Sequence, residues 1–332
     1  QEGGRLLTLP VQGEWTSGMH TGMGASAAER RRRTRTARAF YLFISPWLVG
    51  FFLLTAGPLI YSFYASLTKW TGISPPQFTG LANFRQMFFG DDRFWRSLLN
   101  TFYFAGAEVA LTLVLSLVLA RFVNRRRPGA YVFRTIFYLP SVVAGVAIFM
   151  VWAWLYDTNL GILNYLLSLI GVRGPRWLLD PRWAMPSLIL MSATFCGGPM
   201  LIFLAALQEV PQEYYEAARI DGASVLREFF VITVPLISPS IFYNFVVGLI
   251  VAMQVFSEPF IMTFGGPMLA TYVYGLHLYN TAFRYFDFGY ASALAWILFL
   301  IILVVSLGVV VSSRMWVYYE GGAGGEQKRR KP

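Results

Sequence analysis

The sequence predicts an all-α integral membrane protein with six transmembrane helices, because of its composition and the spacing of its charges. Of its 332 residues 56% are apolar and 13% are charged, whereas an average soluble protein carries about 25% charged residues. Five stretches without a charged side chain exceed the roughly 20 residues that cross a bilayer as a helix. They are 39–68, 135–156, 183–208, 229–257 and 288–313. A sixth, 97–120, is interrupted only by Glu108, which is tolerable where a helix faces protein or a cavity.

The segment before the first span predicts a basic, disordered cytoplasmic tail over residues 1–39. Its run Arg30–Arg33 anchors the inner end of the span, and a lipid-binding role for the same arginines stays open. Because the chain opens on Gln, Met19 and Met23 are candidate natural starts. In the outer segment before span two, Asp91 lies where an acidic helix start is expected.

The distribution of Lys and Arg gives the orientation. With the N-terminus inside, 19 of the 27 basic residues lie on the inner side and 8 outside, which is the positive-inside pattern. The sequence therefore predicts a multi-pass membrane protein with both termini cytoplasmic. Its parts are the tail 1–39, the membrane domain 40–316 and a second basic tail 317–332. The net charge of +10 reflects this orientation, so no nucleic-acid partner is expected.

Two further features concern the shape of the spans. An apolar stretch at 259–283 contains Gly265-Gly266-Pro267 and His277, so we interpret it as an external loop with an interfacial helix and not as a seventh span. Proline is expected to kink four of the helices. These prolines are Pro58, Pro140, Pro199 and Pro259.

Catalytic, metal-binding and cofactor-binding constellations are missing from the sequence, which argues against an enzyme. The two histidines, His20 and His277, lie far apart, and Cys196 is the single cysteine. Only three lysines occur, and none follows a glycine, as the lysine of a phosphate-binding loop does. If a nucleotide drives this protein, another chain binds it.

The loop 209–235 carries five acidic residues and two arginines, against the positive-inside tendency. Pro211 is expected to open a short helix that stops at Asp221-Gly222, where glycine can take a positive φ. A second helix from Ser224 is expected to end at Pro235. From the residues alone, a partner-docking surface and an ordinary surface hairpin both fit.

The same loop resembles the signature of permease subunits of bacterial ABC importers. That signature reads EAA, three residues, Gly, nine residues, Ile, one residue and Leu-Pro. Here Glu216-Ala217-Ala218, Gly222 and Ile232 keep every spacing to Pro235, with Val234 in the place of Leu. The resemblance implies a type I ABC importer permease fold in which this coupling loop docks on an ATPase subunit. Its implied coupling residues are Glu216, which pairs with a basic residue, Ala217, Ala218, Asp221, Gly222, Ile232 and Pro235.

Other stretches are similar to the carbohydrate-uptake branch, whose members import maltose and glycerol 3-phosphate. They are 78–101, FRTIFYLPSVV (133–143), TFGGP (263–267) and 279–295. The resemblance implies a sugar or sugar-like cargo, a second similar permease subunit, two ATPase copies and an external solute-binding protein.

Polar residues within spans are costly and therefore mark a candidate translocation path. The candidates by this criterion are Glu108, Asn244, Gln254, Ser257 and Glu258, and the resemblance to the maltose permease adds Thr194 and Gly198. The sugar-contacting positions of the maltose permease correspond here to Met191, Thr194, Phe195, Gly198, Gly248, Ala252 and Val255. Most of the polar side chains expected for sugar binding are missing from these positions, so the partner subunit or the external binding protein could hold the selectivity.

Three other interpretations stay open at this point. The chain could be an ABC permease for amino acids or polyamines, although the outer segment and TFGGP speak against it. It could be an ion-driven secondary transporter with Glu108 and Glu258 as ion sites. A purely structural membrane anchor is the third, and the matched loop spacing argues against that.

Overall fold

The computed structural model describes residues 27–124 and 129–318. The α-helices are α1 Ala27–Phe51, α2 Gly57–Ser66, α3 Ala82–Phe89, α4 Asp92–Val123, α5 Ala130–Val142, α6 Gly145–Leu155, α7 Ile162–Leu169, α8 Pro181–Ser192, α9 Gly197–Glu209, α10 Gln212–Ile220, α11 Val225–Glu228, α12 Val234–Leu236, α13 Ser238–Ala252, α14 Ser257–Met262, α15 Tyr274–Tyr279 and α16 Phe288–Trp316. Short π or 3₁₀ turns continue them at Phe52–Ala56, Ala193–Phe195, Phe229–Thr233 and Asn280–Arg284. Strands β1 (Thr68–Lys69) and β2 (Gln77–Phe78) pair antiparallel.

These residues form two compact units, one ending at Ile60 and the other beginning at Tyr61. In the first unit α1 begins at Ala27, so residues 27–39, which the sequence places in a disordered tail, are helical. The rest of that tail, with Met19 and Met23, lies outside the described residues. So do 125–128 and 319–332.

The predicted spans are present as three continuous segments and three bent pairs. The continuous ones are Arg38–Ser66, Asp92–Val123 and Phe288–Trp316. The bent ones are Tyr131–Val142 with Gly145–Leu155 (102°), Pro181–Phe195 with Gly197–Glu209 (48°) and Val225–Leu236 with Ser238–Ala252 (68°). The all-α membrane fold is thus confirmed.

Most of the breaks do not lie at the prolines expected to cause them. Span four bends at Cys196, three residues before Pro199, and span five bends just before Pro239 and not at the expected Pro259. Both prolines fall in the first turn of the helix after the break, where the missing N–H has no intrahelical partner to lose. Proline therefore starts the second half of these spans.

Helix α4 lies at the centre of the larger unit and packs against α9 and α13. Its buried side chains recur every three or four residues, as on one face of a helix: Phe94, Ser97, Thr101, Phe104, Ala105, Val109, Ser116, Ala120 and Val123. One apolar cluster joins α4 to α8 and to the residues around Met253, and a second joins it to α9 and Ile237.

The external stretch around α15 differs from the interfacial helix that the sequence predicts. Tyr274 and Leu276 are buried, and Tyr274 packs in a cluster with residues of α4 and α16. Its backbone N–H donates to Thr101 Oγ1 over 2.8 Å, and its hydroxyl donates to the carbonyl of Leu294 over 2.8 Å. Helix α15 is therefore part of the protein interior.

Asp91 joins the N-terminal ends of α4 and α16 to α15. Its Oδ1 accepts hydrogen bonds from the backbone N–H groups of Arg93 and Phe94, which caps α4 as the acidic helix start predicts. Its Oδ2 accepts from the Tyr290 hydroxyl over 2.7 Å and lies 3.0 Å from His277 Nε2.

The pKa values of this cluster follow from its burial. Burial raises the pKa of Asp91, but the Tyr290 hydrogen bond, His277 and the capped N–H groups together hold that pKa below its ordinary value. Burial lowers the pKa of the His277 imidazole, and Asp91 offsets only part of this effect. The neutral ring is therefore the form that stabilises the fold.

We predict that acid weakens this Asp91 cluster through His277. The folded pKa of His277 lies below its unfolded pKa of about 6.5. The stabilisation by the neutral ring is therefore fully present above that pH and is lost as the pH falls through the folded pKa. Asp91 adds a further loss only below its unfolded pKa, about 3.9. The thermal unfolding midpoint in detergent should therefore drop between about pH 7.5 and 5.5, and His277→Gln should reduce that drop.

Asp92→Asn is the matched control, because Asp92 is exposed and lies next to Asp91. This variant should keep the wild-type pH response. An undiminished drop in the His277→Gln protein would contradict the assignment.

Candidate functional site

The coupling loop 209–235 folds as two helical segments around a glycine turn. Pro211 lies one residue before α10 as its N-cap, and Glu213 is in the first turn, where an acidic side chain interacts favourably with the helix dipole. The helix ends at Asp221, and Gly222 has φ +76°. The predicted helix and turn thus have the expected form, apart from the start at Gln212.

The turn at Gly222 has the hydrogen bonds of a Schellman motif. The N–H of Ala223 donates to the carbonyl of Ala218 over 2.9 Å, and the N–H of Gly222 donates to that of Arg219 over 3.0 Å. This motif needs a left-handed residue after the helix, which glycine adopts without steric cost. Gly222 therefore fixes the direction in which the chain leaves α10.

The second helical segment differs from the prediction at its end. Ser224 caps α11, but the helix continues through the π turn Phe229–Thr233 and past Pro235 to Leu236. A proline in the first turn of a helical segment loses no hydrogen bond, so Pro235 does not end it. The sharp bend follows at Ile237.

Two side-chain contacts hold the halves of the loop together. Arg219 Nε lies 3.2 Å from Oε1 of the buried Glu228. The hydroxyls of Tyr215 and Thr233 are 2.9 Å apart. These contacts occupy one side of α10 and leave Glu216 and Ala217 exposed, with Ile220 86% exposed. The loop is thus a preformed unit in which Glu216, Ala217 and Gly222 are exposed, whereas Ala218, Ile232 and Pro235 are half-buried.

A cavity of about 290 Å³ lies between α4, the break of span four and α13. Three predicted path residues line it, namely Glu108, Asn244 and Glu258. Four of the positions matched to the maltose permease also line it: Phe195, Gly248, Ala252 and Val255. Glu108 Oε1 accepts a hydrogen bond from Thr112 Oγ1 over 2.9 Å.

The other predicted path residues do not line this cavity. Thr194 lines an apolar groove beside Pro140, and Gly198 has open space around it. Gln254 and Ser257 are exposed, and the Gln254 amide donates to the carbonyl of Ile250. Met191, another matched position, is fully buried in an apolar cluster with Phe149 and Tyr156.

Two polar residues of the cavity were missed in the sequence, Thr112 and Ser192. Thr112 lies one helical turn after Glu108, so that spacing was the available signal. Ser192 is a hydroxyl inside an apolar span, a pattern that also fits hydrogen bonding between helices. Within the described residues, no group of three or more His, Cys, Asp or Glu side chains could hold a metal ion.

Comparison with known proteins identifies the family. Residues 112–317 match the family of binding-protein-dependent transport system inner membrane components, and the chain belongs to that family. The predicted ABC importer permease is thereby confirmed. The matched region begins in the second half of α4 and includes the coupling loop and most of the cavity lining, but not Phe104, Glu108 or Val109.

Relatives and solved structures agree with this assignment. The chain is 40% identical over 90% of its length to the "Probable ABC transporter permease protein YesP" of Bacillus subtilis (strain 168), of which 98% is covered. It is 33% identical over 91% of its length to the diacetylchitobiose uptake system permease protein NgcF of Streptomyces coelicolor, with 89% of that protein covered. The fold is similar to a chain of a bacterial alginate ABC transporter solved with an alginate pentasaccharide-bound periplasmic protein, with a TM-score of 0.73, 22% identity and coverage of 85% of this chain and 96% of that one.

We predict that Gly222→Ala loosens the turn without a steric clash. An added Cβ meets nothing within 4 Å, but φ +76° is strained for any residue with a Cβ. The strain is about 1–2 kcal/mol. It corresponds to a roughly fivefold to thirtyfold larger population of molecules in which this turn is locally open. Amide hydrogen exchange at 221–223 should accelerate by that factor.

Gly106→Ala is the control for this measurement. That glycine lies in α4, also with nothing within 4 Å of an added Cβ, and its φ is not positive. Its substitution should leave exchange at 221–223 unchanged. Equal exchange in the Gly222→Ala and wild-type proteins would show that the turn does not depend on glycine.

Proposed function

We propose that this chain is a permease subunit of an ATP-driven importer and lines part of the membrane path for a sugar or sugar-like solute. A separate ATPase chain would dock on the coupling loop. Closure of the ATPase subunits would then tilt the spans as rigid bodies and alternate access to the cavity. The observation that carries this proposal is the coupling loop, folded around Gly222 with Glu216 and Ala217 exposed.

The chemistry of the loop supports docking on a basic surface. Glu216 is exposed and carries no ion pair among the described residues, whereas Arg219 and Glu228 neutralise each other within the loop. Neighbouring small and apolar side chains, Ala217 and Ile220, allow close approach of a partner. A carboxylate beside apolar surface is suited to a charge-assisted hydrogen bond with a cleft that carries Arg or Lys.

The names of relatives support a carbohydrate cargo. NgcF is a diacetylchitobiose uptake permease, and the lactose transport system permease protein LacF of Rhizobium radiobacter is 31% identical over 80% of this chain and is 91% covered. We infer a sugar or sugar-like solute here too. A second permease subunit, two ATPase copies and an external solute-binding protein would complete the assembly, with both termini in the cytoplasm.

We predict that Glu216→Gln uncouples transport. The substitution removes the charge and keeps the shape, and loss of one partner of an interfacial charge pair costs about 2–5 kcal/mol. ATP-dependent uptake by cells or proteoliposomes with the cognate ATPase, second permease and binding protein should fall at least about tenfold. Membrane insertion should be unchanged, and less ATPase should co-purify.

Glu209→Gln provides a matched control, since Glu209 is exposed and lies in the same loop before α10. Uptake in this variant should stay near the wild-type level. Full uptake with Glu216→Gln would refute the docking role. Uptake that persists without ATPase subunits and collapses with an ion gradient would instead indicate a secondary transporter.

A further inference from the structure

The ionisable side chains that line the cavity between α4 and α13 are all acidic. These groups are Glu108 on α4 and Glu258 on α14. Within the described part of the chain, no lysine, arginine or histidine lines the cavity. An anionic solute would therefore meet acidic groups and no counter-charge on this side of the path.

A second observation indicates a polar occupant. Ser192 lines the cavity and is only 5% exposed, yet its Oγ has no hydrogen-bond partner among the described residues. A buried hydroxyl without a partner loses free energy, so a hydroxyl that lines a path is available to a solute or water there. Thr112 and Asn244 place further polar groups in the same lining.

We propose that Glu108 and Glu258 make this cavity select against negatively charged solutes, so that it passes uncharged hydroxyl-rich molecules and excludes their acidic counterparts. This inference rests on the proposed translocation role of the cavity. It adds to the cargo class the requirement that the solute carries no negative charge. It also gives the two carboxyl groups a function distinct from holding the helices together.

The physical reason is the charge of the ionised carboxylates. An ionised carboxylate repels an anion, and the repulsion is strong where the dielectric constant is low. A protonated carboxyl group does not repel the anion, so the selection requires the ionised form. Sugar hydroxyls, in contrast, can donate hydrogen bonds to either form of the group.

The test measures charge selection without ATP and without an identified cargo. In the full-length Cys196→Ala protein in its membrane, Ser192→Cys places a thiol in the cavity lining. Its reaction rates are measured with a neutral methanethiosulfonate, with the trimethylammonium-ethyl reagent and with the sulfonatoethyl reagent. The cation-to-anion rate ratio is divided by the same ratio for Ser74→Cys, an exposed site in the outer segment, which corrects for intrinsic reactivity.

We expect the corrected ratio to be at least about ten, and to fall toward one in the Glu108→Gln/Glu258→Gln double variant. The Ser74→Cys ratio should be the same with and without the two glutamates. A corrected ratio near one or below, or no change in the double variant, overturns the proposal. Absence of reaction even with the neutral reagent overturns it as well, since the cavity would then be closed to solutes.

The result of the thiol-labelling experiment is independent of the result of the Glu216→Gln uptake experiment. If Glu216→Gln abolishes uptake while the corrected ratio is near one, the chain is an ATP-driven permease without charge selection at this cavity. If the corrected ratio is high while the Glu216→Gln variant keeps full uptake, the cavity selects by charge but the coupling loop does not drive transport.

Discussion

Backbone polar groups that lie in hydrocarbon must find partners inside the protein, and this requirement organises the whole fold. Three of the six spans are bent, and each bend frees backbone groups that a continuous helix would pair. The unbroken α4 supplies one side chain at a bend and another at the stretch before α15. Ser116 Oγ donates to the carbonyl of Cys196 at the break of span four, and the Asn100 amide donates to the carbonyls of Leu269 and Tyr272. A polar side chain of α4 thus stabilises the break of span four.

The bend of span four also depends on close backbone contact. A Cβ at Gly197 would clash with the carbonyl oxygen of Phe137 in α5, so only glycine allows these two helices to meet there. At the bend of span five, Ser238 Oγ donates to the carbonyl of Pro235 and accepts from the N–H of Tyr318. These breaks are therefore specific structures in which local residues satisfy the backbone.

Local signals explain which parts of the fold could be predicted from the sequence. Stretches without charged residues predict the six spans. Gly222 predicts the turn, because a positive φ depends on the residue type at one position, and Asp91 predicts the start of α4. The positions of the bends depend on long-range contacts, such as that of Ser116 with Cys196, which leave no local pattern in the sequence. Pro199 and Pro239 come after the breaks and so do not mark them. Of the path candidates, Glu108, Asn244 and Glu258 meet in one cavity. The exposure of Gln254 and Ser257 depends on how α13 ends, which a single sequence does not encode locally.

The positions of the coupling loop and the cavity show how a signal at one could reach the other. The loop joins α9 to the segment that enters α13, and Pro199 of α9 and Asn244 of α13 line the cavity. A displacement of α10 therefore acts on the two spans whose bends lie beside the cavity, while α4 carries Glu108 on a continuous helix. Movement of α9 and α13 against a fixed α4 would change the width of the cavity and leave the carboxyl group of Glu108 in place. The charge of the path can thus persist through transport while its opening changes.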